Sequence, residues 1–400
     1  MSQKQSNSWQ KVKLADICSL LTDGKHGDCQ NQEGSGYYFL SAKNIINGKL
    51  CYENAREITE EDFQETHKRT QLEPNDILMS NSGSIGKLAI ADNSALTYKT
   101  TFQKSVAIIK PKHNLISNKF LYLYLLFAKK LFTQSITGTA QKNLLLRDLR
   151  NFQIPLPPLE EQRRIAAILD KADTVRRKRE KAIRLTEELL RSLFLDMFGD
   201  PVTNPKGWEV VKLCEILAFL TSGSRGWAKY YALEGNLFLR IQNVKGGKLL
   251  LDDVAYVNPP DSTEAKRTCI TEGDILLSIT ADLGRTAVVP KGLPTAYINQ
   301  HLAIIRIDKN RVSPTYVSAF LSSVGGQLQF ARLNREGVKA GLNFDDIRNL
   351  KIPLPPKEIQ FKYESCFQLL NNMANIHRKD FEYSNKLFNS LLQKAFRGKL

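Results

Sequence analysis

The sequence has no C-x-x-C pair. Its six cysteines, Cys18, Cys29, Cys51, Cys214, Cys269 and Cys366, lie far apart. That spacing argues against a zinc ribbon and against a disulfide framework. Long apolar runs are missing as well. Phe120 to Phe127, within the longest, spans 8 residues and contains two tyrosines, whereas a membrane helix needs about 20 apolar residues. The first ten residues, Met1 to Gln10, are polar and carry no apolar signal-peptide core. A cytoplasmic protein with no membrane attachment is the expectation. Histidine is scarce, and His26, His67, His113, His301 and His377 share no metal-ligand spacing, so no metal site is expected.

Apolar residues make up 42% of the chain and aromatics 9%, enough for a real core, which excludes wholesale disorder. Lys and Arg number 57 against 41 Asp and Glu, a net charge of +16. Such an excess favours a polyanionic partner, nucleic acid ahead of a membrane surface. On charge alone, a merely soluble basic protein is the other reading. The 400 residues point to two or three domains.

The second half of the sequence restates the first at an offset of 197 to 199 residues. Trp9-Gln-Lys-Val-Lys-Leu14 returns as Trp208-Glu-Val-Val-Lys-Leu213. Leu21-Thr-Asp-Gly24 returns as Leu220-Thr-Ser-Gly223, and Asp76-Ile-Leu-Met-Ser80 as Asp274-Ile-Leu-Leu-Ser278. Phe39-Leu40 with Asn44 matches Phe238-Leu239 with Asn243. The longest match sets Asp148-Leu-Arg-Asn-Phe-Gln-Ile-Pro-Leu-Pro-Pro158 against Asp346-Ile-Arg-Asn-Leu-Lys-Ile-Pro-Leu-Pro-Pro356, and Glu160 and Gln162 recur as Glu358 and Gln360. So many colinear matches at one offset mean a duplication.

Each half opens with short β-type runs broken by Gly, Asn and Asp. Tyr37–Leu40, Asp76–Met79 and Ser105–Ile109 have counterparts in Ile275–Ile279 and Leu302–Ile307. A helical stretch follows, Asn118–Phe132 in one half and Pro314–Phe330 in the other. The Ile-Pro-Leu-Pro-Pro string then marks a boundary, because prolines at that density continue neither a helix nor a ladder. Beyond each boundary a long amphipathic helix is expected, Leu159–Phe198 and Lys357–Phe396. At ~1.5 Å per residue each would be a rod of roughly 57 Å. Two such helices would bury their apolar stripes against each other, antiparallel if the halves are related by a two-fold axis. Separate helices, each capping its own domain, are the alternative.

The fold class expected is therefore α+β: two repeated β-rich modules and two long, antiparallel, coiled-coil-like helices with pseudo-two-fold symmetry. The divisions fall at 1–158, 159–198, 199–356 and 357–400.

Several strings imitate catalytic motifs and fail on spacing. Gly83-Ser-Ile-Gly-Lys87 has two residues between its glycines where a phosphate-binding loop has four, and its repeat, Ala281-Asp-Leu-Gly-Arg285, lacks the first glycine and the lysine. Asn258-Pro-Pro-Asp261 has no aromatic ring to stack on a flipped base. Pro260-Asp261 with Glu264 and Lys266 sits too tightly to bring carboxylates from separate strands. The two copies share no catalytic pair, so no catalytic residue is expected.

Reading bases requires side chains that donate and accept in pairs: Arg or Lys for guanine, Asn or Gln for adenine. In the first module such residues are Lys25, His26, Lys43, Asn44, Asn81, Gln141, Lys142 and Asn143. In the second they are Ser224, Arg225, Arg240, Gln242, Asn243, Arg332, Asn334, Arg335 and Lys339. Matched positions differ in kind: His26 answers to Arg225 and Lys43-Asn44 to Gln242-Asn243. Framework residues persist while loop polars vary, as two readers of different sequences on one scaffold would. The basic run Arg176 to Lys181 on the first long helix is a candidate phosphate contact.

The paired modules, with Pro155-Leu-Pro-Pro-Leu-Glu-Glu-Gln-Arg-Arg-Ile165 after the first and an Ala-Phe-Arg-Gly-Lys-Leu400 ending, resemble the specificity subunit of type I restriction–modification systems. The resemblance runs from Trp9 to Leu400. It implies two target-recognition domains, each reading one half of a split, asymmetric site in double-stranded DNA. It also implies a helical spacer that sets their separation and docks two methyltransferase subunits, with restriction subunits joining. Catalysis, S-adenosylmethionine, ATP and Mg2+ then belong to the partners, with no cofactor on this chain. One departure is Glu358-Ile-Gln-Phe-Lys-Tyr363, which lacks the Arg-Arg-Ile that follows Gln162. A self-sufficient restriction or modification enzyme and a non-specific basic scaffold are the rival expectations.

Overall fold

The computed structural model describes residues 9–134, 143–334 and 341–400. It divides into two compact units, Met1–Glu180 with Lys379–Leu400, and Lys181–Arg378.

The first unit is organised by a four-stranded antiparallel sheet with the spatial order Cys18–Asp23, Val106–Pro111, Ile77–Ser80, Leu88–Ile90. Every residue of Val106–Pro111 and of Ile77–Ser80 is buried, which is why Val106–Ile109 and Ile77–Met79 read as apolar runs. Alternate side chains serve opposite faces. Ile77 and Met79 pack with Phe120 and Leu121 of the helix Asn118–Phe127, whereas Leu78 packs with Leu40, Ile45 and Phe102.

The second unit repeats the sheet as Leu217–Ser222, Leu302–Ile307, Ile275–Ser278, Thr286–Val288. Ile275 and Leu277 pack with Tyr316 and Phe320, and Leu276 faces Leu239 and Val244. The duplication extends to irregularities: the first strand bulges between Cys18 and Leu20 in one unit and between Leu217 and Phe219 in the other. Each unit also adds a parallel pair, Tyr38–Leu40 with Thr100–Phe102, and Asn236–Leu239 with Ala296–Ile298.

The Asp-Ile-Leu string recurs because its acid is half of a buried ion pair. Asp76 lies 2.7 Å from the Lys110 ammonium, and Asp274, with a fully buried side chain, lies 2.7 Å from the Arg306 guanidinium. Removing Asp274 would leave the Arg306 cation unpaired, whereas Lys110 would keep Glu73 at 2.8 Å.

Two expectations need correction. Each short helical stretch is two helices: Asn118–Phe127 and Lys129–Gln134 part at Ala128, and Pro314–Ser322 and Val324–Leu333 part at Ser323. The first proline of each Ile-Pro string does continue a ladder. Pro155 pairs with Lys11, and Pro353 with Val210. These are two-stranded ribbons, where a proline on an outer edge costs no shared hydrogen bond.

The long helices span Leu159–Phe198 and Lys357–Phe396, 40 residues each. In the first unit, Arg164 Nη2 donates to the Leu400 carbonyl at 3.1 Å and the Arg176 guanidinium lies over the Phe388 ring. Arg179 pairs with Asp380 at 3.1 Å. Ascending numbers on one helix thus meet descending numbers on the other, and the pair is antiparallel. In the second unit, Glu187 meets Arg378 at 2.7 Å and Phe194 meets Tyr363, in the same sense.

Both helices contribute to each module's core. Ile165 and Leu169 join Phe388, Leu392 and Ala395 under the first sheet, where the Phe396 ring contacts Phe120, Tyr124 and Phe127. Phe194, Phe198 and Tyr363 close the core of the second. The expected single stripe is incomplete. Val175, Leu189, Met373 and Leu387 face outward, and Leu185, Leu369, Ile376 and Tyr383 do too.

Candidate nucleic-acid interface

At one end of the first sheet, the loops that leave its strands gather around Ser105. Its carbonyl accepts from the Asn81 N–H at 3.0 Å and its hydroxyl from the Ala42 N–H at 3.3 Å. The Lys25 loop joins them through a parallel bridge to Gln103, and Asn143 bridges to Ser82. Gly24 permits this crowding, because a Cβ there would lie 1.9 Å from the Phe102 carbonyl oxygen.

The second module rebuilds the arrangement. The His301 carbonyl accepts from the Ile279 N–H at 3.0 Å, Ser224 bridges to Asn299, and a Cβ on Gly223 would lie 2.1 Å from the Asn299 oxygen. The repeated Leu-Thr-x-Gly string is therefore required by backbone approach.

Among the candidate reading residues of the first module, His26, Lys43 and Asn143 are exposed on these loops. His26 Nε2 lies 3.1 Å from Asp23 Oδ2. Lys25 is a correction: its ammonium is held at 2.8 Å by both Asp62 and Glu65. Those bonds raise its pKa above the ordinary lysine value and hold Asp62 below the ordinary carboxylate range. Asn44 is a second correction. Its oxygen accepts from the Ser41 N–H at 3.0 Å and its amide donates to the Cys51 carbonyl at 3.1 Å, so it shapes its own turn. Asn81 is buried and turns no exposed amide outward; its Oδ1 has no hydrogen-bond partner. Gln141 and Lys142 lie outside the described residues.

In the second module, Arg225, Gln242, Arg332 and Asn334 are exposed. Arg240 and Gln242 both reach toward Asp253, at 3.5 and 3.1 Å. Asn243 is corrected as Asn44 is, accepting from the Arg240 N–H at 2.9 Å and donating to the Leu250 and Asp253 carbonyls at 2.8 Å. Ser224 is corrected too: it is buried, with its hydroxyl on Thr268 at 3.2 Å. Arg335 and Lys339 lie outside the described residues.

The sequence reading missed the loop at the centre of each cluster. Lys104 and Gln300 occupy matched places between Gln103 and Ser105 and between Asn299 and His301. Both sit beside residues that bridge to the preceding loop. Gln103-Lys-Ser105 and Asn299-Gln-His301 stand immediately before the buried strands, and that aligned divergence was the available signal.

The imitation phosphate loop is a turn pinned from within. Ser80 Oγ donates to the Ser84 carbonyl at 2.6 Å and accepts from the Lys87 N–H at 2.9 Å, and Ser278 makes the same bonds to Asp282 and Arg285. The basic run on the first long helix is also largely internal. Arg176 and Arg177 share Asp173, and Arg179 holds Asp380, so among these residues Lys178 and Lys181 are the exposed cations. Among the described residues no group of three or more His, Cys, Asp and Glu side chains could hold a metal ion, and no helix is long and apolar enough to cross a membrane.

The sequence model for the type I restriction modification DNA specificity domain matches this chain twice, over residues 6–187 and 205–379. The chain belongs to that family. Specificity-subunit relatives span nearly all of it. A putative type I restriction enzyme MjaX specificity subunit of Methanocaldococcus jannaschii is 27% identical over 98% of this chain and 93% of its own length. The EcoBI specificity subunit of Escherichia coli is 20% identical over 98% of this chain and 86% of its own. In fold, this specificity subunit is similar to the crystal structure of the type I S subunit from M. genitalium, with TM-score 0.63, 16% identity and 99% and 98% coverage. As in its relatives, DNA recognition is the role of such a subunit, and the two domain matches coincide with its two structural repeats.

Proposed function

We propose that this specificity subunit reads a bipartite, asymmetric site in double-stranded DNA, one half with each module. Residues 1–158 and 199–356 act as target-recognition domains, and 159–198 and 357–400 as the spacer. The observation that carries this reading is matched framework with unmatched loops. The sheets, bulges and buried ion pairs repeat, whereas His26 and Lys104 give way to Arg225 and Gln300. Side chains of different donor and acceptor pattern in the same geometric place select different bases.

The long helices run unbroken from one unit into the other, and each contributes to both cores, which supports reading them as the spacer. Their outward apolar residues, Leu369, Met373 and Ile376 in the second unit and Tyr383 and Leu387 in the first, suit a docking surface for two methyltransferase subunits. Restriction subunits join through that assembly. S-adenosylmethionine, ATP and Mg2+ belong to these partners, and the complex works in the cytoplasm.

Exchanging residues 9–155 for the corresponding module of another specificity subunit tests the division of labour. The methylated motif should change in one half-site only. A change in both halves would end the claim that the modules read independently.

A further inference from the structure

The two homologous reading loops carry opposite electrostatic arrangements. In the first module the cations at and around the place matching Arg225 face carboxylates, whereas Lys43 and Lys104, elsewhere in the cluster, are exposed. Lys25 holds Asp62 and Glu65, Arg56 binds Asp28, and both Arg69 and His26 bind Asp23. The bridges Lys25 to Gln103 and Ser224 to Asn299 fix the correspondence between modules, so Asp23 answers to Ser222 and Asp28 to Trp227. A second pair of anchors, Arg69 on Thr22 and Arg267 on Thr221, aligns the neighbouring helices. Asp62 and Glu65 then answer to Pro260 and Thr263. All four acids are neutral residues in the second module. There Arg267 donates to the Thr221 hydroxyl and the Ser222 carbonyl, and the exposed Arg225 has no hydrogen-bond or ion-pair partner among the described residues.

We infer that Arg225 makes a phosphate contact through which the second module's loop grips DNA electrostatically, whereas at the matching place in the first module His26 and its neighbours Lys25, Arg56 and Arg69 are charge-neutralised by Asp23, Asp28, Asp62 and Glu65 and make no such contact. This rests on the reading that these loops face DNA. A free guanidinium displaces a condensed counterion when it meets a phosphate. A lysine already held by two carboxylates at 2.8 Å gains little by doing so.

The test is binding of the full chain to a 40-base-pair duplex of mixed sequence, followed by fluorescence anisotropy across a potassium chloride series at pH 8. Each phosphate contact contributes about 0.9 to the slope of log K against log salt. Arg225→Gln should make the slope shallower by about that amount, while Lys25→Gln should leave it unchanged. The double variant Asp28→Asn with Glu65→Gln removes two exposed carboxylates, with side chains 80% and 68% accessible, and should make the slope steeper. Circular dichroism melts confirm that each variant is folded.

Equal flattening by Arg225→Gln and Lys25→Gln would overturn the asymmetry while leaving the loops on the DNA. An unchanged slope in every variant, with binding intact, would instead remove the loops from the DNA-facing surface and take the underlying reading with it.

Discussion

The side-chain oxygen of Gln162 accepts a hydrogen bond from the backbone N–H of Ser117 at 2.8 Å, at a position where Gln162 is wholly buried. Its amide donates to the Leu115 and Pro157 carbonyls at 3.1 and 2.8 Å. Gln360 repeats this in the second unit, accepting from Ser313 at 3.0 Å and donating to Pro355 at 2.6 Å. One glutamine per unit thus ties the first turn of a long helix to the loop that starts a module helix. The recurring Pro-Leu-Pro-Pro-x-Glu-x-Gln string is, at its glutamine, a structural joint.

Gln162→Ala and Gln360→Ala should each destabilise the unit they belong to by about 2–4 kcal/mol, because buried backbone donors and acceptors lose their partner without gaining water. Differential scanning calorimetry checks this. A melting profile unaltered by either change would mean that water replaces the amide.

The two buried ion pairs give a second comparison. Asp274→Ala strands the Arg306 guanidinium and two bonds from Thr271, and should cost about 3–5 kcal/mol. Asp76→Ala should cost less. Lys110 retains Glu73 at 2.8 Å, and burial already pushes the Asp76 carboxyl above its ordinary pKa. Urea titration of the two variants orders them.

His67 sets a pH dependence. It stacks on Phe63 at 4.9 Å, and burial, with the nearby Lys110 charge, holds it below the ordinary histidine pKa of 6.5 against a smaller opposing effect of Glu73. The unfolded chain therefore binds a proton more readily than the folded one, so stability is full above pH 6.5 and falls as pH drops toward the folded value. The melting temperature should decline from pH 7.5 to 5.5, and His67→Gln should flatten that decline. An identical slope in both proteins would place the pH sensitivity elsewhere.

The spacer makes a prediction about DNA. Inserting four residues near Lys181 lengthens one long helix by about 6 Å, and the number of unread bases between the half-sites should change while the bases read stay the same. B-DNA turns once in about 10 base pairs, so the phase of the readers shifts as well. An unchanged spacer in the methylated motif would exclude the helices as the ruler.

Much of the fold was legible because duplication supplies its own alignment. Long helices with periodic apolar residues and strands buried on both faces announce themselves, and Leu159–Phe198 and Lys357–Phe396 stand where the pattern put them. The reading residues were less legible. Asn44 and Asn243 look like adenine readers in sequence, yet a short polar side chain beside a turn bonds first to its own backbone. Lys25 looked free because its partners Asp62 and Glu65 lie 37 and 40 residues away. The glutamine joint was visible as a repeat, but only its buried partners 45 and 47 residues away explain it.

The most direct test of the account is a methylome. This chain would be co-expressed with its methyltransferase partner in a host lacking adenine methylation, and modified bases mapped by long-read sequencing. A single split motif that vanishes when this chain is omitted is the predicted result. Methylation with no defined motif, or with one continuous motif, from a soluble and co-purifying pair would contradict it.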